Sequence, residues 1–201
     1  MKDYMRTEKP IMDMSSMKKL TQITLAPYIF IATNLISKKR KAGGTAFRHQ
    51  ISTLGILIEY GYIDPILLKA SVIHDVLEDI DGFDQNIIKN CDQDGQEVLK
   101  LVLEVSKKND ETKGEFLKRI VERGSYYSKV LKCGDRIANL IELGFVTDAK
   151  FIERTCEDSE CYILPLALQV DFNMYLEILS LIESRKKYLE LIGYYNKPTE
   201  Q

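Results

Sequence analysis

The sequence predicts an all-α protein, on three observations. Apolar residues recur at three- and four-residue spacing along most of the 201-residue chain. No stretch alternates apolar and polar residues in the way a half-buried strand would. Pro27 and Pro65 stand where first helical turns would begin, a position at which a missing N–H costs nothing.

In chain order, residues 1–16 read as a flexible or peripheral N-terminal segment, and residues 17–201 as a single domain. A helix is expected from Met17, interrupted at Pro27 and running on to about Lys38. The basic connector "SKKRKAGGT" (residues 37–45) then ends it, its two glycines permitting backbone angles closed to other residues. A helix from Phe47 to Tyr60 follows. Asp64-Pro65 supplies an N-cap and first-turn proline for a helix that should continue unbroken to Asp81-Gly82. Further helices are expected over 84–90, 94–107, 112–123, 126–143, 147–158 and 160–192, with Pro165 dividing the last. The amphipathic stretch 172–195 either caps the core or makes a homo-oligomer contact, and core packing is the commoner fate of such a face.

The composition, 45% hydrophobic and 29% charged, is that of an ordinary globular protein. A formal charge of −2 gives no reason to expect a nucleic-acid polymer as partner, because such binding rests on clustered cations. Cys91, Cys133, Cys156 and Cys161 form no CxxC pair and read as free thiols of a reducing compartment. There is no secretory apolar region, and "LAPYIFIA" (residues 25–32) is far short of the roughly 18 residues that cross a bilayer. A cytoplasmic protein without a membrane partner is expected.

The informative stretch is "VIHDVLED" (residues 72–79). On a continuous helix, His74 lies above Glu78 and Asp75 above Asp79, on two neighbouring stripes of an otherwise apolar segment. The acids sit near a helix C-terminus, where the macrodipole disfavours them. A divalent cation held by neutral imidazole and carboxylate would compensate them. His49, the only other histidine, lies on the preceding helix in "AFRHQIST", and Asp135 in "KCGDRIANL" offers a further acid, with Asn139 one turn later. Taken singly, each has a plainer reading: an incidental His-Asp dipeptide, a solvated Glu78-Asp79 face, an Asp135-Arg136 ion pair, a surface amide at Asn139. Asp81 and Asp84 read as turn and N-cap residues. Jointly, two histidines and two ordered acidic sites argue for a centre.

The order His49, His74-Asp75, Asp135 resembles the HD superfamily of metal-dependent phosphohydrolases, which implies an HD-domain helical bundle with these four residues on one divalent ion. More narrowly, "IDPILLKASVIHDVLEDID" (residues 63–81) and "VLKCGDRIANL" (residues 130–140) are similar to the two motifs of the hydrolase domain of RelA/SpoT-type alarmone hydrolases, and "EDSECYILPLA" (residues 157–167) to the helix that follows. The resemblance, over residues 25–170, implies a small hydrolase-only form that cleaves guanosine tetra- or pentaphosphate, (p)ppGpp, at the 3′ position to pyrophosphate and GDP or GTP. It implies Mn2+ as the usual ion, with Fe2+ or Zn2+ as alternatives that availability decides. Glu78 and Asp79 would be catalytic; Arg40, Lys41 and Asn139 would bind substrate. The sequence departs from the pattern in having Gln50 after His49, where proline is common, "SKK" before Arg40, and "CGDR" in the second motif. Another nucleotide substrate, a non-catalytic alarmone-binding module and an all-α interaction protein stand as alternatives.

Overall fold

The computed structural model describes residues 12–196. Twelve helices make up the described chain: α1 (Met14–Gln22), α2 (Ala26–Ala32), α3 (Ala46–Glu59), α4 (Pro65–Ile73), α5 (Val76–Asp79), α6 (Gln85–Lys89), α7 (Gly95–Val105), α8 (Lys113–Arg123), α9 (Tyr126–Glu142), α10 (Ala149–Asp158), α11 (Leu164–Val170) and α12 (Phe172–Leu191). No strand occurs among the described residues, so the all-α expectation is met. Local chemistry starts most of these helices. Thr45, Asp64, Asp84, Ser125, Asp148 and Asp171 each cap a first turn through a side-chain oxygen, and Thr112 with Glu115 forms a reciprocal capping box.

The centre of the molecule is α9 lying against α3, with α4 packed on α3 and α12 packed on α9. Leu57, Leu67, Leu68, Ile73, Leu131, Ile137 and Leu140 are fully buried between them. Gly134 permits the central approach: a Cβ there would stand 2.9 Å from Leu57 Cδ2. Gly134 directly precedes Asp135, so this close approach of α9 to α3 lies next to the residue that meets His49. The α12 helix buries Met174, Ile178, Ile182 and Leu189, so its apolar face does cap the core.

Four expectations need correction. The helix placed at Met17 begins at Met14, held by Asp13, which accepts the Ser16 N–H at 2.6 Å. Residues 1–11 of the expected lead-in lie outside the described residues. The α2 helix gives way to a single 3-10 turn at Thr33–Leu35, short of Lys38. At the other end, Pro165 does not divide the final helix. A π turn at Ser159–Ile163 links α10 to α11, and Pro165 sits in the first turn of α11, where its missing N–H is tolerated. The break falls instead at Asp171, which is extended (φ −156°, ψ 115°) and caps α12 by accepting the N–H groups of Asn173 and Met174. The fourth correction concerns the central motif. No helix among the described residues is long and apolar enough to cross a membrane.

Candidate functional site

The helix expected to run unbroken from Pro65 to Asp81-Gly82 stops at Ile73 and restarts at Val76. His74 causes the break. Its Nδ1 bonds the Ser71 carbonyl at 2.8 Å, the same carbonyl that an uninterrupted helix would join to the Asp75 N–H. Asp75 then adopts φ −96° and ψ −1°, a joint between two helices. The break turns both side chains inward, toward His49 on α3 and Asp135 on α9.

Ligand atoms of His49, His74 and Asp135 lie within 4.8 Å of one another, all three side chains buried. His49 Nε2 is 2.9 Å from Asp135 Oδ1, and His74 Nε2 is 3.7 Å from the same oxygen. Asp75 completes the group, with Oδ1 3.4 Å from His74 Nε2 and Oδ2 3.9 Å from His49 Nε2. The four residues read as ligands from sequence are therefore brought together.

The donor chemistry suits a divalent cation. With Nδ1–H committed to Ser71, His74 carries its lone pair on Nε2, which is buried and has no hydrogen-bond partner. A buried polar atom of this kind is costly unless something binds it. Charges in the cluster support one another. Burial works against ionised Asp135, but the Lys132 ammonium, at 2.7 Å, and His49 hold its carboxyl well below the usual range. Asp75 is lowered too, burial being outweighed by His74 and His49. Burial opposes charge on His49, yet Asp135 and Glu142 together push it up to about 9.

Around this floor opens a cleft of about 470 Å³. Its lining includes Lys38, Lys39, Arg40, Lys41, Lys107, Lys113, Lys132 and Arg136, set against Asp75, Glu78, Asp79 and Asp135, so cations outnumber carboxylates two to one. The 37–45 connector forms one wall. It folds back on itself, Ala46 N–H reaching the Lys38 carbonyl at 2.8 Å, with Gly43 and Gly44 at φ +80° and +70° making the reversal. This hairpin-like loop points Arg40 inward, where its Nη2 donates to Asn139 Oδ1 at 2.5 Å; Asn139 Nδ2 in turn donates to Asp135 Oδ1 at 2.6 Å. Lys41 lies along the wall, its ammonium 4.9 Å from the centre of the Phe151 ring.

Glu78 and Asp79 stand at the rim, outside the cluster. Glu78 Oε1 accepts the Lys107 N–H at 2.9 Å. Desolvation in the cleft pushes its carboxyl up, the Lys107 N–H opposing and the Asp75 charge adding to the rise. Asp79 pairs with Lys38 of the loop at 3.3 Å.

Sequence reasoning missed several lining residues. Lys132 was findable, since three residues before Asp135 on a helix puts it on the same face. Lys107, on the α7–α8 connection, and Lys113, the first residue of α8, carried no signal. Glu142 was also missed. It is buried on α9 with Oε1 3.7 Å from His49 Nδ1 and Oε2 3.4 Å from Arg40 Nη2, linking the cluster floor to the basic wall.

No protein-family model matches the chain. Over 175 residues, 80% of the chain, it is 28% identical to a probable guanosine-3′,5′-bis(diphosphate) 3′-pyrophosphohydrolase of Mycoplasma genitalium. The chain spans 23% of that relative's length. A solved structure of a metazoan ortholog of SpoT that hydrolyses ppGpp superposes with a TM-score of 0.68 at 20% identity, covering 88% of this chain and 98% of that one. The fold is thus the all-α bundle of that solved structure. The resemblance to the hydrolase domain of RelA/SpoT-type proteins, first carried by the motifs, is supported by both comparisons.

Proposed function

We propose that this protein is a metal-dependent 3′-pyrophosphohydrolase of guanosine 3′,5′-bis(diphosphate), acting in the cytoplasm. One observation carries the reading: a floor of two imidazoles and two carboxylates shares a single cleft with a wall of lysines and arginines. Such a cleft suits a small polyanion whose phosphoryl oxygens meet a cation on one side and ammonium or guanidinium groups on the other. The similarity to proteins named for this reaction narrows the polyanion to a guanosine bis(diphosphate).

His49, His74, Asp75 and Asp135 would hold one divalent ion, for which manganese is our assignment. When bound, it supplies an acidified water and a polarised phosphoryl oxygen. The remaining roles belong to the chain. Ser71 fixes the His74 ring so that Nε2 faces the centre. Glu78, its carboxyl raised, takes a proton as water attacks the phosphorus attached to the 3′ oxygen, and gives it to the 3′ oxygen as that P–O bond breaks, releasing pyrophosphate and a nucleotide with a free 3′ hydroxyl. Arg40 and Lys41 hold phosphate oxygens, arginine contributing a planar two-pronged contact. Asn139 orients Arg40 and Asp135 together. Asp79 braces the basic loop through Lys38.

The test is pyrophosphate release from guanosine tetraphosphate by purified protein with manganese, run beside a chelator and Asp75→Ala. Release that needs metal and disappears in the variant is expected. Bound manganese with no release would retain the metal centre and reject the substrate.

A further inference from the structure

Gln50 follows His49 on α3, at the position where the sequence departs from the pattern it resembles, and it is completely buried. Its Nε2 donates to Asp75 Oδ2 at 2.9 Å. A carboxylate can only accept, so the amide must turn its NH2 to Asp75 and its oxygen elsewhere. That oxygen, Oε1, is buried without a hydrogen-bond partner. Leaving an amide oxygen unpaired in the interior is unfavourable, and an apolar side chain of the same length would fill the space without that cost. The single bond to Asp75 is what the amide contributes.

Asp75 needs such a restraint. It stands in the non-helical joint between α4 and α5, and its side chain makes no cap to the α5 helix it precedes. It is also less enclosed than its three neighbours, with 27% of its side chain exposed against 5% or less for theirs. Holding Oδ2 leaves Oδ1 turned toward His74 Nε2, 3.4 Å away.

We propose that Gln50 is a positioning residue that orients the Asp75 carboxylate toward a bound cation, an inference that rests on reading His49, His74, Asp75 and Asp135 as a metal centre. Gln50 touches neither substrate nor ion. It acts through Asp75, in the way outer partners of metal ligands raise affinity by fixing a ligand's direction.

The experiment is titration calorimetry of the full chain with manganese alone, after chelator treatment, for wild type, Gln50→Met, Gln50→Asn and Thr53→Val. Methionine keeps the length and removes the donor; asparagine keeps the amide and withdraws it beyond reach. Thr53 is buried one turn further along α3 and has an unpartnered hydroxyl, so it reports on general disturbance of the helix. Melting of the metal-free proteins by circular dichroism identifies which variants are folded. Either folded Gln50 variant should bind manganese ~10- to 100-fold more weakly than wild type. Thr53→Val should stay within about twofold, because it removes a hydroxyl that has no hydrogen-bond partner. Wild type that binds no manganese would reject the metal centre and this role together. Wild type that binds, with Gln50 variants matching it, would reject Gln50 alone. Equal losses in Thr53→Val and the Gln50 variants would also reject it, by assigning the effect to helix packing.

Discussion

The α4 helix carries buried charge midway along its length and again just beyond its end, and the two sites are built on opposite principles. At the midpoint, Lys69 is buried with its ammonium 2.6 Å from both Asp92 Oδ2 and Asp94 Oδ2. Asp92 Oδ1 accepts from Tyr28 O–H at 2.7 Å and from the Asp94 N–H at 2.9 Å, so the donors and acceptors close on one another. Just beyond its end, His74 Nε2 is buried without a hydrogen-bond partner, as is Gln50 Oε1 on the adjacent α3. A closed set ties α2, α4 and the α6–α7 connection together and leaves nothing for a ligand to satisfy. An open set is expensive to the fold by itself and inexpensive only when something binds, which is the signature of a site rather than a staple.

That contrast is exposed first by Glu78→Gln, which should lower kcat for pyrophosphate release ~100- to 10,000-fold, the span of a lost acid-base group, while manganese affinity and melting temperature hold. A steady-state assay beside calorimetry reads both. A variant with near-normal turnover would remove Glu78 from the chemistry.

Arg40→Ala should lower kcat/KM by about 10- to 100-fold, mostly through KM, from the loss of charge-assisted contacts to phosphate. Initial rates over a range of guanosine tetraphosphate concentrations decide it. An effect confined to kcat would move Arg40 from binding to catalysis.

The closed set should answer in stability instead. Lys69→Met leaves two carboxylates facing each other and should destabilise by about 2 kcal/mol, the carboxylates' partial exposure reducing the penalty of a fully buried pair. Denaturant unfolding measures this, and turnover per folded molecule should stay within about twofold. A large loss of turnover with unchanged stability would make the two sites along α4 one functional system.

The smallest effect is in pH. The folded-state value of His49 is raised to about 9 from 6.5 in the metal-free protein, so its proton stabilises the fold. This contribution is complete below pH 6.5 and disappears as pH rises through about 9. Melting temperature in chelator should therefore decline by a few degrees across that window. Saturating manganese requires neutral imidazole and should offset the decline. At the acid end the lowered carboxyls of Asp75 and Asp135 work the other way. Their contribution is present above 3.8 and is lost as pH falls through their folded values. A melting temperature that climbs from pH 6.5 to 9 without metal would contradict the His49 assignment.

Much was legible in the chain alone. Helical periodicity, proline at first turns and Ser, Thr or Asp at caps are local effects acting within one or two turns, so the class of fold and most helix starts could be read. The four cluster residues were legible because histidine is scarce here and His74-Asp75 is out of place in an apolar segment. The break at His74 was not, because a side chain competing for its own helix's carbonyl leaves no mark on periodicity. Nor were Lys107, Lys113, Glu142 and Gln50, whose roles arise only when α3, α9 and the α7–α8 connection meet α5 in space. Composition and spacing determined which side chains could form a centre. Close packing at Gly134 and the joint at Asp75 decided how they face one another, since direction and distance between separate helices depend on contacts no single segment contains.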